Sequence, residues 1–415
     1  MKNVIYFLAF IFINNIFDLA YGAIELKASF EAARQNMESI KRSEAVISQN
    51  EEQKKRARAA VLPTISGVGT YTRIDPPVSA GQSPFLLTKQ HSYGLRLTQP
   101  ILRGGTVSAY KLAQESILLA RYQKDATELN LYQLVISAYY NLALSQKDVS
   151  NVESLLKFSR ERVKEIRERT LIGRSRKGEL VEAQAQLHIA ESQYRQTLMG
   201  LQQAEKNFEF YTNLKAGELI VEGEVPTLSG PLKDFLSGIK KRPDILAADQ
   251  GTKIASEQIH IAKGSHYPQV DLTSNYYFDR TGILATSEWD VGVSVSIPLF
   301  QGGGVQASVR QAVEARRIAE LQSMESQRMA EREIAINYQN LLQIQEQLKS
   351  LKEALNKSEE AYRLNKKDYQ FGLVTNLDVL QSMNMFIETK RSFDSLVSLA
   401  HLNFKNLEAL TGVLP

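Results

Sequence analysis

Residues able to do chemistry are present in this chain but are not gathered. The five histidines are dispersed, and the nearest two, His260 and His266, lie six residues apart, a spacing that does not bring them to one helical face as a metal pair. There is no cysteine, which excludes a disulfide framework, thiolate metal sites, a cysteine nucleophile and a lipidated N-terminal cysteine. Gly302-Gly303-Gly304 lacks the lysine and hydroxyl residue that a phosphate-cradling loop needs. Carboxylates are many, but with nothing to pair them they read as helix-surface charge. No catalytic role, cofactor or bound metal is expected. The 50 basic and 46 acidic residues leave a net charge of +4, too little for a field that grips nucleic acid. What remains is positioning, which turns attention to the elements.

The N-terminus carries Lys2, an apolar run from Val4 to Ile13, and Ala20-Tyr21-Gly22, with small residues at the two positions a signal peptidase reads. Residues 1–22 are expected to be an export signal, with Ala23 as the mature start. Asn14 and Asn15 end the run short of the roughly 20 residues that span a bilayer. No later segment has the length and apolarity of a spanning helix, so the exported chain is either soluble outside the cytoplasm or a β-barrel.

An internal duplication runs through the chain. Gln99-Pro100-Ile101-Leu102-Arg103-Gly104-Gly105 recurs 198 residues later as Ile297-Pro298-Leu299-Phe300-Gln301-Gly302-Gly303, and Leu62-Pro63 is answered by Tyr267-Pro268. Apolar positions alternate in steps of three and four, through Val135, Ala138, Leu142, Val152, Leu156, Val163 and Ile166, and again 199 residues on, through Ile334, Asn337, Leu341, Leu351, Leu355, Tyr362 and Asn365. A repeat of about 3.5 residues makes helices wind round neighbours as left-handed coiled coils. Two long helices are predicted, at about 106–171 and 304–371, each of about 100 Å at the usual rise of about 1.5 Å per residue. Shorter helices are predicted at about 25–60, 178–212, 244–264 and 377–411, with an irregular equatorial linker over 213–243.

Four segments of period two precede the long helices, at about 64–73, 91–100, 269–278 and 288–297. In the clearest, Trp289, Val291, Val293, Val295 and Ile297 alternate with Asp290, Gly292, Ser294 and Ser296. Each has the length that a tilted strand needs to cross an outer membrane, about 9–11 residues. On pattern alone, a small soluble sheet with one buried face fits as well. In lipid, four strands cannot close, and several chains must share one barrel. Two copies would give a barrel filled by side chains, whereas three leave room for a channel. The strand pairs are joined by 74–90 and 279–287, loops that would face outward. Pro100, Gly104 and Gly105, and Pro298, Gly302 and Gly303, stand at the barrel-to-helix junctions, where the chain needs conformations that other residues resist.

On these residues the chain resembles the TolC family of outer-membrane efflux proteins. The most specific stretches are Arg242-Pro243-Asp244-Ile245-Leu246-Ala247-Ala248 leading to Tyr267-Pro268-Gln269-Val270, the turn Pro298 to Gly303, and Phe371-Gly372-Leu373-Val374-Thr375-Asn376-Leu377-Asp378. The resemblance implies a first efflux repeat over 23–212, the linker 213–243 and a second repeat over 244–415. It implies a mainly α chain with transmembrane β-strands, which as a homotrimer forms an α-helical barrel and one shared 12-stranded β-barrel in outer-membrane lipid. It implies an exit duct for tripartite efflux or type I secretion, fed by an inner-membrane transporter of the RND, ABC or MFS type through a periplasmic membrane-fusion adaptor protein. The adaptor would dock on helical tips at Gly173, Arg174, Arg176 and Lys177 and at Gly372, Leu373, Val374 and Thr375. By the resemblance, Asp378 would fall on an acidic ring of the periplasmic gate, Glu179 on the matching site of the first repeat, and Tyr369 on a gate tyrosine. Val374 and Gln381 depart from the arginine and the second acid that some relatives carry there. Other readings stay open: C-capping alone for Gly173 and Gly372, helix N-terminal acids for Glu179 and Asp378, seam packing for Tyr369, and solvation for the basic tip. For the whole chain the rival is a secreted coiled-coil scaffold or adhesin stalk without a pore.

Overall fold

The computed structural model describes residues 24–73, 89–217, 219, 225–228, 230–281 and 285–412. The expected export signal, most of the 74–90 loop and the centre of the 279–287 loop lie outside them. In chain order come α1 (Leu26–Asn36), α2 (Glu38–Ala59), β1 (Thr64–Arg73), β2 (Lys89–Leu102), α3 (Thr106–Leu171), α4 (Lys177–Thr212), α5 (Leu232–Ser237), α6 (Pro243–Gly264), β3 (Gln269–Arg280), β4 (Trp289–Ser296), α7 (Gly304–Gln370) and α8 (Asn376–Leu410). Two compact units result. One gathers the chain up to Lys41, Ala126–Arg242 and Arg328 onward; the other gathers Arg42–Asp125 and Pro243–Gln327.

In the first unit the three-and-four seam of α3 faces inward. Val135, Leu142, Val152 and Ile166 are fully buried, as are Ile334 and Leu341 of α7. The main cluster packs Phe30 and Ala33 of α1 with Tyr132, Val135, Tyr139 and Phe208, so the short first helix is held by its apolar face rather than by its length. Toward the helix ends, a second cluster joins Leu155 and Leu156 to Leu380, Met383 and Ile387 of α8. Arg391 of α8 grips Asp148 of α3 through Nε at 2.5 Å and Nη2 at 3.1 Å.

The second unit holds a four-stranded antiparallel sheet in the order β1-β2-β3-β4. The two hairpins share one register: Thr64 faces Thr98 and Tyr71 faces His91, while Gln269 faces Ser296 and Tyr276 faces Trp289. One face presents Ile65, Leu95, Leu97, Leu272, Tyr276 and the Trp289–Val295 series. The other carries Thr70, Arg96, Asn275, Asp290 and Ser294. Across this polar face Arg96 Nε donates to Asn275 Oδ1 at 2.8 Å, and Asn275 Nδ2 donates to Asp290 Oδ1 at 2.7 Å, tying three strands together.

Several boundaries differ from expectation. The helix over 25–60 is two helices, because Met37 is extended (φ −67°, ψ 130°) between α1 and α2. The linker 213–243 is not irregular throughout: it holds α5 and a 3-10 turn, Ile239–Lys241, and Pro243 opens α6, where its missing N–H costs nothing. Lys89 and Gln90 are strand rather than loop, because they pair with Arg73 and Thr72. Asp279 and Arg280 likewise extend β3, pairing with Tyr93 and Ser92. β4 stops at Ser296, one residue before the expected end, and the long helix α7 stops at Gln370.

Candidate functional site

Both long helices end in the same way. Gly173 has φ 75° and Gly372 φ 74°, in the left-handed region that a side chain resists. The Arg174 N–H returns to the Arg169 carbonyl at 2.8 Å and the Gly173 N–H to Thr170 at 3.1 Å. At the other reversal the Leu373 N–H returns to Asp368 at 3.0 Å and the Gly372 N–H to Tyr369 at 3.1 Å. This paired closure satisfies helix-terminal carbonyls and turns the chain sharply. Leu171, Ile172, Phe371 and Leu373 stand exposed around the two turns.

Each reversal starts its next helix with an acid. Glu179, in the first turn of α4, accepts from Ser175 Oγ at 2.5 Å and lies 3.4 Å from the Arg176 guanidinium, while Lys177 opens the helix. Asp378 completes a capping box with Thr375: its Oδ2 accepts from the Thr375 hydroxyl at 2.6 Å and from the Thr375 N–H at 2.7 Å. The Thr375 hydroxyl, then the Thr375 backbone amide, hold the exposed Asp378 carboxyl below its usual range. Val374 and Gln381 line the same shallow groove as Asn365 and Asp378.

Tyr369 is only 6% exposed. Its ring lies under two guanidiniums, with the Arg162 carbon at 3.7 Å and the Arg169 carbon at 4.6 Å from the centroid. Arg162, itself 6% exposed, donates through Nε to Asn376 Oδ1 at 2.8 Å and through Nη1 to Glu165 Oε2 at 2.8 Å. One side chain of α3 thus holds both the end of α7 and the start of α8. Arg162 was missed by the sequence reading, and Asn376 entered it only within the stretch from Phe371 to Asp378, yet Ser159, Arg162 and Ile166 follow one another at steps of three and four, the inward spacing.

The sheet of the second unit is a separate candidate surface. The junction at Pro100 lies inside β2, and Gly104-Gly105 abut the end of α6, where a Cβ on Gly104 would overlap the Gly264 carbonyl. At the second junction, past Pro298, a Cβ on Gly302 or Gly303 would meet nothing within 4 Å. Among the described residues β1 and β4 have no outer partner, and the apolar face is bare: Trp289 is 67% exposed, and Val291, Val293 and Val295 are comparably so. A soluble sheet would bury that face. Among the described residues no helix is long and apolar enough to cross a membrane, and no group of three or more His, Cys, Asp or Glu is placed to hold a metal ion.

Comparison with known proteins agrees with this geometry. The profile of the outer membrane efflux protein family matches residues 30–213 and 238–412. The toluene efflux pump outer membrane protein TtgC of Pseudomonas putida is 23% identical over 345 residues, covering 79% of this chain and 71% of that protein. The pyoverdine export outer membrane protein OpmQ of Pseudomonas aeruginosa is 23% identical over 394 residues, covering 88% and 80%. Among solved structures, that of CusC superimposes with a TM-score of 0.83 at 18% identity, covering 93% of this chain and 91% of the other. The CmeC outer membrane channel of Campylobacter jejuni gives a TM-score of 0.81 at 18% identity, covering 93% and 85%. The chain has the protomer fold of TolC-like outer-membrane channels and belongs to the outer membrane efflux protein family, a protein of the outer membrane.

Proposed function

We infer that three copies of this chain close one 12-stranded barrel and act as a passive exit duct of a tripartite efflux or secretion system. The observation that carries the reading is the sheet: two unpaired edges and a bare apolar face satisfy neither water nor lipid until other copies complete the wall. The apolar face then meets outer-membrane lipid, and the Arg96–Asn275–Asp290 face lines the bore. An inner-membrane transporter supplies the energy. A periplasmic adaptor docks on the reversals at Gly173 and Gly372, whose exposed Leu171, Ile172, Phe371 and Leu373 suit helix-tip contacts. The names of the relatives, toluene efflux and pyoverdine export, favour small organic molecules as cargo.

The gate reading places Asp378 and Glu179 in rings of three at the periplasmic mouth, where carboxylates attract cations. Tyr369 serves as the gate tyrosine, held shut by Arg162 and Arg169. Arg162 Nη2 and Asn376 Nδ2 are buried without a protein acceptor, so opening, which hydrates them, meets less resistance than a fully bonded latch would offer. The test is direct. The mature chain should fractionate with outer membrane, run as a trimer in detergent and conduct ions in a planar bilayer. A monodisperse, detergent-independent monomer that conducts nothing would exclude it.

A further inference from the structure

Residues of the four strands alternate between the two faces of the sheet, and one irregularity changes which charges reach the polar face. β2 and β3 pair with Arg96 opposite Asn275 and Gly94 opposite Tyr277, but the register then shifts, so that Tyr93 faces Asp279 and Ser92 faces Arg280. Phe278 is the additional residue of this bulge. One extra residue re-aims every side chain beyond it. By unbroken alternation from Asp271, Thr273, Asn275 and Tyr277, Asp279 would join the polar face and Arg280 would leave it. The observed contacts go the other way. Asp279 Oδ2 lies 2.9 Å from Nε2 of His91, which shares the face of Tyr93 and Leu95. Arg280 sets its guanidinium carbon 4.3 Å from the Tyr277 ring centroid and its Nη1 3.7 Å from Asp290 Oδ2, and both of those residues are on the polar face.

The consequence is an arginine with no acid. On the polar face the strands carry Arg96, Asp271, Arg280 and Asp290. Asp271 is held by Arg103, whose Nη2 is 3.1 Å away, and Asp290 by Arg280. Glu288 stands beyond the end of β4. Arg96 bonds the Asn275 amide oxygen through Nε, and among the described residues it forms no ion pair. Asn275 stands between Arg96 and Asp290 in one row across the sheet and bonds both, so it spaces the two charges rather than letting them meet. With Asp279 in place of Arg280, the strands would set Asp271, Asp279 and Asp290 on this face against Arg96 alone, and Asp290 would have no other guanidinium to turn to.

We propose that Arg96 sets the selectivity of the barrel: three copies place their guanidiniums at one level of the bore, as a ring that draws in the anionic group of a small organic cargo, a carboxylate or a phosphate, and the bulge at Phe278 keeps that ring from being neutralised. The proposal rests on the trimeric duct reading above and names a cargo chemistry for it. Rings of Arg or Lys are one way in which pores favour anions and phosphates. With Nε engaged by Asn275, the planar guanidinium still offers its terminal donors to an oxyanion. Arg96 lies mid-strand, opposite Ser66 on one side and Asn275 on the other, where low-dielectric walls focus the field of a ring into the bore. The acids Glu179 and Asp378 belong to the other compact unit and carry the opposite sign, so variants separate the two contributions.

Full-chain protein in planar bilayers gives two readouts, the chloride-to-potassium permeability ratio and the block by tripolyphosphate added on the side of the strand loops. Arg96→Gln should lower the ratio about threefold and weaken the block about tenfold, the block more because that anion is multiply charged. Arg96→Lys keeps the charge and should retain both readouts, which a purely structural arginine would not. Arg280→Gln leaves Asp290 to Arg96 and should fall in the same direction as Arg96→Gln. Asp279→Asn, on the lipid face, should match wild type in both. Unchanged readouts in Arg96→Gln would overturn the ring, as would a loss in Arg96→Lys equal to that in Arg96→Gln. Tighter block in Asp279→Asn would put that acid in the bore and overturn the role of the bulge. In each of these outcomes the protein still conducts and the duct reading stands. A wild-type chain that conducts nothing would instead remove that reading and the ring together.

Discussion

The Arg162 guanidinium of α3 lies over the ring of Tyr369 at the foot of α7, its carbon 3.7 Å from the centroid, and the same guanidinium bonds Asn376 at the start of α8. A cation buried against an aromatic face contributes on the order of 1–2 kcal/mol. In the proposed duct this is the bolt of the periplasmic mouth. Arg162→Met keeps the stem and removes the charge, so single-channel recordings should show open time raised about tenfold, the equivalent of about 1.4 kcal/mol. Tyr369→Leu should act in the same direction. Recordings indistinguishable from wild type would remove Arg162 from the gate.

The reversals at Gly173 and Gly372 make a prediction about stability alone. Their positive φ values mean that Gly173→Ala and Gly372→Ala should each cost about 1 kcal/mol. Gly178, inside the first turn of α4 with open space about it, should gain about 0.5–1 kcal/mol as alanine. Thermal unfolding followed by helical circular dichroism separates the two signs.

The Asp378 carboxyl is depressed by its bonds to Thr375, so it stays ionised to lower pH than a free aspartate of 3.8. A depressed carboxyl contributes stability that is present above the unfolded pKa and is lost as pH falls through the lower, folded one. Cation preference due to Asp378 should therefore be flat from pH 8 to pH 5 and should fade only below about 3.8. Reversal potentials measured across that range check it. Asp378→Asn can still accept from Thr375 and should abolish the preference while sparing the helix start. Thr375→Ala should return the fade toward 3.8 and cost about 1 kcal/mol of helix capping.

Arg391 and Asp148 tie α8 to α3 through two bonds, and Asp148 is the chief reason that the Arg391 pKa is raised. Both side chains are partly exposed, which limits the pair to about 1 kcal/mol of coupling. A double-mutant cycle of Arg391→Met and Asp148→Asn in denaturant unfolding should return about that value. A coupling indistinguishable from zero would make the pair ornamental.

Much of this architecture was legible because a spacing of three and four, sustained over ten or more steps, admits one explanation. The long helices and all four strands stand within a few residues of their expected places. The break at Met37 was not legible, since no glycine or proline marks it. It arises where α1 turns Phe30 and Ala33 into the core while α2 buries Ile40 alone. The ends of the strands were hidden for a related reason. Lys89 and Gln90 look like loop by type and become strand only through Arg73 and Thr72 opposite. Tyr369 could be placed from the motif that follows it, but Arg162 could not. It sits in the charged run Arg160 to Glu165, and a run of charge by itself indicates an outer face, whereas Arg162 is buried.

The bare margins of the sheet have a consequence for how the protein comes into being. In the proposed trimer no one molecule finishes the wall, so the last stage of folding would be an encounter whose rate rises with the supply of chains. The finished barrel has no stability separable from protomer concentration. Dilution during synthesis, rather than heat, is then the condition most able to leave this protein incomplete.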